Sequence, residues 1–337
     1  MTIADVARAA GVSPTTVSHS LNGLGKVDPR TRQRVKDVAA ELRYRPSVRA
    51  QRLRRGRSHS IALLSSMPTG VSGGFSRLGF FTEIAMGCAE TALLHGYALT
   101  LVPPVEDREH VARLDIDGAI VLEPAPAEPL TAELDDRGLP YVTIDAPASS
   151  TCVDLHHRQA AELILDHLVA VGARSIGLLL GSSGRASQTV FRKKYQETVE
   201  RLGAEPVIRE SPEADGEEGA HATTARLLAE HPQLDALCVP IDAFASGALR
   251  AATAAGRSIG EDLLLATRYD GLRAQTASPP LTAVDLNLGE ISRAAVTLLL
   301  SGLGAVGGAG AVEAAAPSPP RLVVRASTVG STVSGRG

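Results

Sequence analysis

The chain has 337 residues, 44% apolar and 21% charged, with a formal net charge of −3; this length and apolar content allow two or three domains with buried cores and exclude a chain disordered throughout. The charge is unevenly spread: residues 1–60 carry 13 Lys and Arg against 4 Asp and Glu, a net of +9, which leaves 21 basic and 33 acidic residues, a net of −12, on the other 277. No stretch approaches the roughly 18–20 apolar residues of a membrane span, and the opening segment is polar where a secretory leader needs an apolar core, so a cytosolic protein is expected.

Along residues 2–10, Ile3, Val6, Ala7 and Ala10 fall at i, i+3, i+4 and i+7, with Thr2 and Asp5 placed as a capping box, which predicts a short amphipathic helix. Gly11-Val12 breaks the period. Ser13-Pro14 then supplies an N-cap with proline at the first helical position, starting a second helix with Val17 and Leu21 turned inward and Asn22-Gly23 at its end. After a basic loop containing Lys26, Asp28-Pro29 repeats the signal, and Val35, Val38, Ala39 and Leu42 mark a third helix. Three helices in about 45 residues, the first two joined by a tight glycine turn, describe a helix-turn-helix module. On the second helix Thr15, Thr16 and His19 share the outer face, and short polar side chains there reach base edges in a major groove, while nearby Arg and Lys neutralise phosphates. The plainer alternative is a helical bundle with a solvated polar face, which the +9 charge of this segment disfavours.

Pro46 and Gly56 bracket about two and a half turns of a further helix with Arg49, Arg52, Arg54, Arg55 and Arg57 in and beside it. A helix this short is marginal in water, so it is expected to order against a polyanion. Leu53, its large apolar side chain, either wedges between base steps in a minor groove or packs on its own domain.

From residue 58 onward short apolar runs alternate with helical patterns. Strands are predicted at 61–65, 98–102, 118–122, 141–145, 175–180, 236–239, 263–266 and 283–286, and helices include 81–95, 159–171, 190–202, 246–255 and 290–300. The rhythm is that of an α/β body of two doubly wound subdomains with a cleft between them. A Gly/Ala/Pro-rich loop at 301–320 precedes a last strand at 322–324. Ligands of such folds sit beyond the carboxyl ends of the strands, which makes the residues just after strands the candidates. Phe80 and Phe81 would give a stacking wall and Asp145 could take a hydroxyl; the alternatives are helix packing and helix capping. Cys88, Cys152 and Cys238 form no C-x-x-C pair and read as small buried apolar residues, with neither disulfide nor zinc site.

The runs T-I-A-D-V-A-R-A-A-G-V-S-P-T-T-V-S-H-S-L-N-G, V-D-P-R-T-R-Q-R-V and L-R-Y-R-P-S-V-R-A-Q-R-L-R-R-G-R-S closely resemble the headpiece and hinge of the lactose repressor (LacI/GalR) family. G-F-F-T-E-I-A-M-G-C-A-E, L-P-Y-V-T-I-D, R-Y-D-G-L, P-P-L-T-A-V-D and R-L-V-V-R-A-S-T extend the resemblance over nearly the whole chain, to an effector domain similar to periplasmic sugar-binding proteins. The resemblance implies a headpiece over 1–46, a hinge helix over 47–57, and an effector-binding and dimerising body over 58–337 whose chain crosses between subdomains near 157, 282 and 318. It implies that Thr15, Thr16 and His19 read bases, that Ser18, Asn22, Lys26 and Tyr44 belong to the same DNA-binding surface, and that Leu53, followed by Arg54, enters the minor groove at the operator centre. In the body it places Arg185 at the family's effector-binding arginine, Asp242 at the aspartate of an Asn-Asp pair and Asp270 at a second cleft aspartate, with Ser187 and Arg192 as weaker candidates.

Three positions depart from the family pattern. Where Val-x-Val-Asp-Asn is common, this chain has Val153-Asp154-Leu155-His156-His157; Ile241 replaces the Asn before Asp242; and Thr267-Arg268 stand where a strand-end Gly precedes the last cleft aspartate. Adjacent histidines face different ways on a strand or helix, so no metal site is expected of them. The function expected is a homodimeric regulator that binds a pseudo-palindromic operator in double-stranded DNA under the control of a small molecule, a sugar or related metabolite, with no cofactor, no catalytic residue and no membrane contact. The alternatives are a small-molecule-binding protein without a regulatory role, or an α/β enzyme. Against the enzyme stands the lack of any G-x-S-x-G, H-E-x-x-H, Walker or strand-borne G-x-G-x-x-G motif.

Overall fold

The first helix, α1 (Ile3–Ala10), starts where its sequence caps it. Thr2 accepts the Asp5 N–H, the Thr2 N–H returns to Asp5 Oδ2 at 2.9 Å, and Gly11 ends the helix at φ 65°. Ser13 Oγ accepts the Thr16 N–H at 3.1 Å to open α2 (Pro14–Asn22), and Asp28 accepts that of Thr31 at 3.0 Å to open α3 (Pro29–Glu41). Val6, Ala7, Ala10, Val17, Val35 and Ala39 are buried between the three helices. These capped turns give the head a core of its own, as the sequence pattern requires.

The computed structural model describes residues 1–23, 25–44, 57–72, 79–103, 109–145, 151–305 and 316–329. The predicted hinge helix, with Leu53 and Arg54, lies outside the described residues. The chain divides into two units, Met1–Ser58 and His59–Gly337.

The second unit is built on two parallel sheets. In the first, the order is β2-β1-β3-β4-β5, formed by β1 (Ser60–Leu64), β2 (Ala98–Leu101), β3 (Gly118–Leu122), β4 (Tyr141–Ile144) and β5 (Cys152–Val153). The second has the order β7-β6-β8-β9, from β6 (Ile176–Gly181), β7 (Val207–Ser211), β8 (Ala236–Cys238) and β9 (Leu264–Ala266). β1 and β3 are buried at every residue, as expected of central strands covered by helices on both faces. β10 (Ala283–Asp285) and β11 (Arg321–Val323) form an antiparallel ribbon. Among the described residues the helices of this unit are α4 (Thr69–Ser72), α5 (Phe80–Leu94), α6 (Glu109–Ala112), α7 (Pro129–Asp136), α8 (His157–Ala170), α9 (Ala186–Leu202), α10 (Gly216–Glu230), α11 (Asp242–Ala254), α12 (Leu272–Thr276) and α13 (Leu288–Gly302).

Three passages of chain join the two sheets. β5 leads into α8, which covers the second sheet; β10 leads into α13, which packs on α5; and the segment after β11 returns to β9, where Ser327 Oγ donates to the Leu265 carbonyl at 2.6 Å. The α5–α13 crossing is close enough to need a glycine: a Cβ on Gly87 would lie 2.7 Å from that of Ser292. Edge strands β5 and β7 are absent from the sequence expectation, because a two-residue strand and the half-exposed V-I-R-E-S run carry little hydrophobic pattern. Cys88 and Cys238 are free and buried as expected, whereas Cys152 is half-exposed.

Candidate functional site

In the head, α2 turns Val17 inward and leaves Thr15 exposed, with Thr16 and His19 half-buried beside it. Thr16 Oγ1 lies 2.9 Å from Ser13 Oγ, so the cap also orients this side chain. His19 packs against Gly25, where a Cβ would approach its Nδ1 to 2.8 Å. Lys26 is exposed on the following loop, and Asn22 is half-buried with Nδ2 donating to the Ser18 carbonyl at 2.7 Å. Two predicted DNA-binding positions are placed differently. Ser18 is only 4% exposed and belongs to the interior of the head, and Tyr44 packs against the helical core.

In the body, the ends of the two sheets face an open cleft of about 590 Å³, counted to its mouth. Phe80, Phe81, Arg185, Ser187 and Asp242, all named above as effector candidates, line it. Gln188, Glu213, Tyr269, Glu123 and Arg268 complete its polar wall. Arg185 is buried and bridges the halves: Nη1 donates to the Glu123 carbonyl and Nη2 to Ser66 Oγ at 3.1 Å. Asp242 opens α11, with Oδ1 taking the Ala243 N–H at 2.8 Å. Burial lifts its carboxyl above the ordinary range against the pull of Arg273 and Arg268.

A buried charge cluster closes the inner end. Glu123 and Asp145 directly follow β3 and β4 in the left-handed region, φ 41° and 67°, and His156 does so before α8 at φ 55°. Such conformations cost non-glycine residues of order 1–3 kcal/mol and persist where surrounding structure holds them. Here the side chains of Glu123, Asp145 and His157, the residue after His156, meet at one point. His157 Nε2 lies 2.5 Å from Asp145 Oδ2 and 3.1 Å from Glu123 Oε1, while Arg268 Nη1 is 2.6 Å from Glu123 Oε1. The same Nη1 is 3.1 and 3.5 Å from the two ring nitrogens of His157; near-equal distances put it against the ring and not on one lone pair. Burial opposes ionisation of Glu123, yet the Arg268 charge and the His157 hydrogen bond hold its carboxyl well below the usual range. For His157 burial likewise opposes the charge, and the hydrogen bonds to Asp145 and Glu123 outweigh it, raising its pKa. With His157 protonated, two carboxylates balance two cations.

Ligand atoms of Glu123, Asp145 and His157 lie within 4.8 Å of one another, so these three could hold a metal ion by distance alone. Their donors are already spent on Arg268 and on each other, and a metal would add charge beside a guanidinium. The trio is therefore an ion-pair cluster by its chemistry. His156 turns away, with Nδ1 3.5 Å from Asp154.

The structure corrects three effector candidates. Asp145 does not line the cleft, because its carboxylate is committed to His157. Arg192 is not among its lining residues and pairs with Glu210. Asp270 is held in a bidentate fork by Arg325, at 2.7 and 2.9 Å. Asp270→Ala is accordingly expected to lower stability by about 1–3 kcal/mol, since the Arg325 guanidinium loses its carboxylate and keeps only the Leu281 carbonyl, and to leave ligand affinity unchanged; urea unfolding with parallel calorimetry checks both. Phe80 does wall the cleft, but the Arg268 guanidinium covers its ring at 5.1 Å. Glu123 was within reach of the rule that residues after strands line such clefts; Arg268 and His157 were visible only as departures.

Comparison with known proteins gives two matches in order. Residues 2–47 match the model of bacterial regulatory proteins of the lacI family, and residues 165–328 match a periplasmic binding protein-like domain. The chain is 28% identical to the HTH-type transcriptional repressor PurR of Haemophilus influenzae (strain PittEE), over 89% of this chain and 90% of the relative. It is 28% identical to the HTH-type transcriptional regulator CelR of Thermobifida fusca, over 84% and 86%. Among solved structures, a transcriptional regulator CelR–cellobiose complex aligns over 97% of this chain and 99% of its own, at a TM-score of 0.67 and 25% identity. The lac repressor dimer bound to operator and the anti-inducer ONPF aligns over 98% and 99%, at 0.78 and 23%, and shares the fold. The chain thus carries a head of the lacI family of bacterial regulatory proteins over residues 2–47, followed by a periplasmic binding protein-like domain over residues 165–328.

Proposed function

We infer that this chain is a transcriptional repressor, which binds a pseudo-palindromic operator as a homodimer and whose operator affinity is set by a small-molecule effector in the cleft of the body. The observation that carries the reading is the pairing, in one chain, of a capped helix-turn-helix of the lacI family with a cleft at the strand ends of a two-sheet body. Thr15, Thr16 and His19 face the base edges, and Lys26 and the arginines of residues 47–57 meet phosphates. Leu53, with Arg54 after it, enters the minor groove between the half-sites. Arg185, Asp242 and Phe81 contact the effector, which acts through unequal affinity for two closures of the body. A sugar or related metabolite is the class supported by the relatives, one of which is named for its complex with cellobiose. The relatives are named as transcriptional regulators, which supports a regulatory role on DNA in the cytoplasm in place of catalysis; no helix among the described residues is long and apolar enough to cross a membrane.

The test is nuclease footprinting of the purified chain on the promoter region of its own gene at low salt, with and without candidate sugars. A protected, two-fold symmetric site that one ligand strengthens or weakens is expected. No protection under any condition would overturn the reading.

A further inference from the structure

Arg268 follows β9 in the half built on the second sheet, with 8% of its side chain exposed. Apart from the His157 ring at the start of α8, its partners come from the other half: Glu123 after β3 at 2.6 Å, and the face of Phe80 on α5 at 5.1 Å. Tyr269 repeats the crossing, with its hydroxyl donating to Glu83 Oε2 at 2.5 Å and its ring edge against Phe80 at 5.6 Å. At the mouth the halves meet backbone to backbone, where a Cβ on Gly70 would lie 2.4 Å from the Ala214 carbonyl oxygen and one on Gly216 2.5 Å from that of Gly70. Protein groups thus draw the two halves together.

A planar cation over an aromatic face with a carboxylate at its edge is the arrangement that holds a guanidinium ligand. A ring-shaped neutral ligand would use the same aromatic face. Entering there, it would have to separate Arg268 from Glu123 and strand both charges in a dry site, which is strongly unfavourable. The Nε of Arg268 has no hydrogen-bond partner among the described residues, so the group is held by charge and stacking and not by a saturated cage.

We propose that Arg268 determines the specificity of the cleft by acting as its internal occupant: its guanidinium fills the subsite on Phe80, ties the halves together through Glu123, and confines an effector to the adjoining wall of Phe81, Gln188, Ile241 and Asp242. This rests on the reading of the cleft as the effector site. In a family whose cleft is expected to take a sugar, a self-filled subsite calls for a smaller effector than a disaccharide.

The experiment uses the full chain as wild type, Arg268→Ala, and the double variant Arg268→Ala/Glu123→Gln, which leaves no unpaired carboxylate. Ethylguanidinium, glucose and cellobiose are tested at about 10 mM by thermal shift, then by titration calorimetry. Ethylguanidinium is expected to raise the Tm of Arg268→Ala by several degrees and to leave wild type and the double variant unmoved. Cellobiose or glucose is expected to bind the double variant at least about tenfold more tightly than wild type. Should Arg268→Ala fail to fold, its refolding yield with and without ethylguanidinium reports the same occupancy. Three results would overturn the proposal: no rescue by ethylguanidinium, no gain of sugar binding in the double variant, or a neutral sugar that binds wild type and is weakened by Arg268→Ala. Failure of the effector reading looks different, as a ligand that binds the body and leaves operator affinity unchanged.

Discussion

Glu123→Ala is expected to destabilise the body by about 3–5 kcal/mol, because it leaves the buried Arg268 guanidinium without its counter-charge and removes one of two carboxylates from His157. Replacing both partners with groups of similar volume, as in Glu123→Gln/Arg268→Met, should recover most of the loss, since a buried pair exchanged for neutral groups is often close to neutral. Urea unfolding of the full chain followed by circular dichroism measures both. A single-variant loss under about 1 kcal/mol would show that water reaches the cluster and that the pair acts as a surface bridge.

The same cluster sets a pH window. The pKa of Glu123 is lowered in the folded chain, so its contribution is present above its ordinary value of 4.5 and is lost as pH falls through the folded value. His157 is raised, so its contribution is complete below its ordinary value of 6.5 and is lost as pH climbs through the folded value. Stability from the cluster should therefore be greatest between these two values and decline above neutrality. His157→Gln should flatten the alkaline decline and leave the acid limb in place.

How much of this was legible in the sequence differs by region for physical reasons. The head was readable almost residue by residue, because Thr2, Ser13 and Asp28 are local caps whose hydrogen bonds close within three positions. Central strands β1, β3 and β6 were readable as apolar runs. Asp270 and Arg192 show the limit: each side chain is claimed by a partner distant in sequence or in the turn of a neighbouring strand, Arg325 and Glu210, that no local pattern announces. The charge cluster assembles Glu123, Asp145, His157 and Arg268 from four separate strand ends and crossings. The sequence showed two of its members only as residues missing from their expected identities, and only the fold brings those departures together.

Operator affinity should fall steeply with salt. If a dimer neutralises about 10 phosphates, log K plotted against log[salt] will have a slope near −9, and binding will weaken by about 10⁵ between 50 and 200 mM salt. The +9 carried by residues 1–60 supplies this term, while the −12 of the remaining chain contributes to it little or with opposite sign. Two substitutions separate positioning from reading. Lys26 is exposed beyond α2, so Lys26→Ala should make the slope shallower by about 1 for every phosphate the lysine neutralises, and weaken all sequences alike. His19→Ala should leave the slope alone and relax preference at one or two base pairs of each half-site, each worth about 1–3 kcal/mol. Fluorescence anisotropy on operator and scrambled duplexes at four salt concentrations resolves the two. If His19→Ala instead weakens both duplexes equally and lowers the slope, His19 binds phosphate and base reading falls to Thr15 and Thr16.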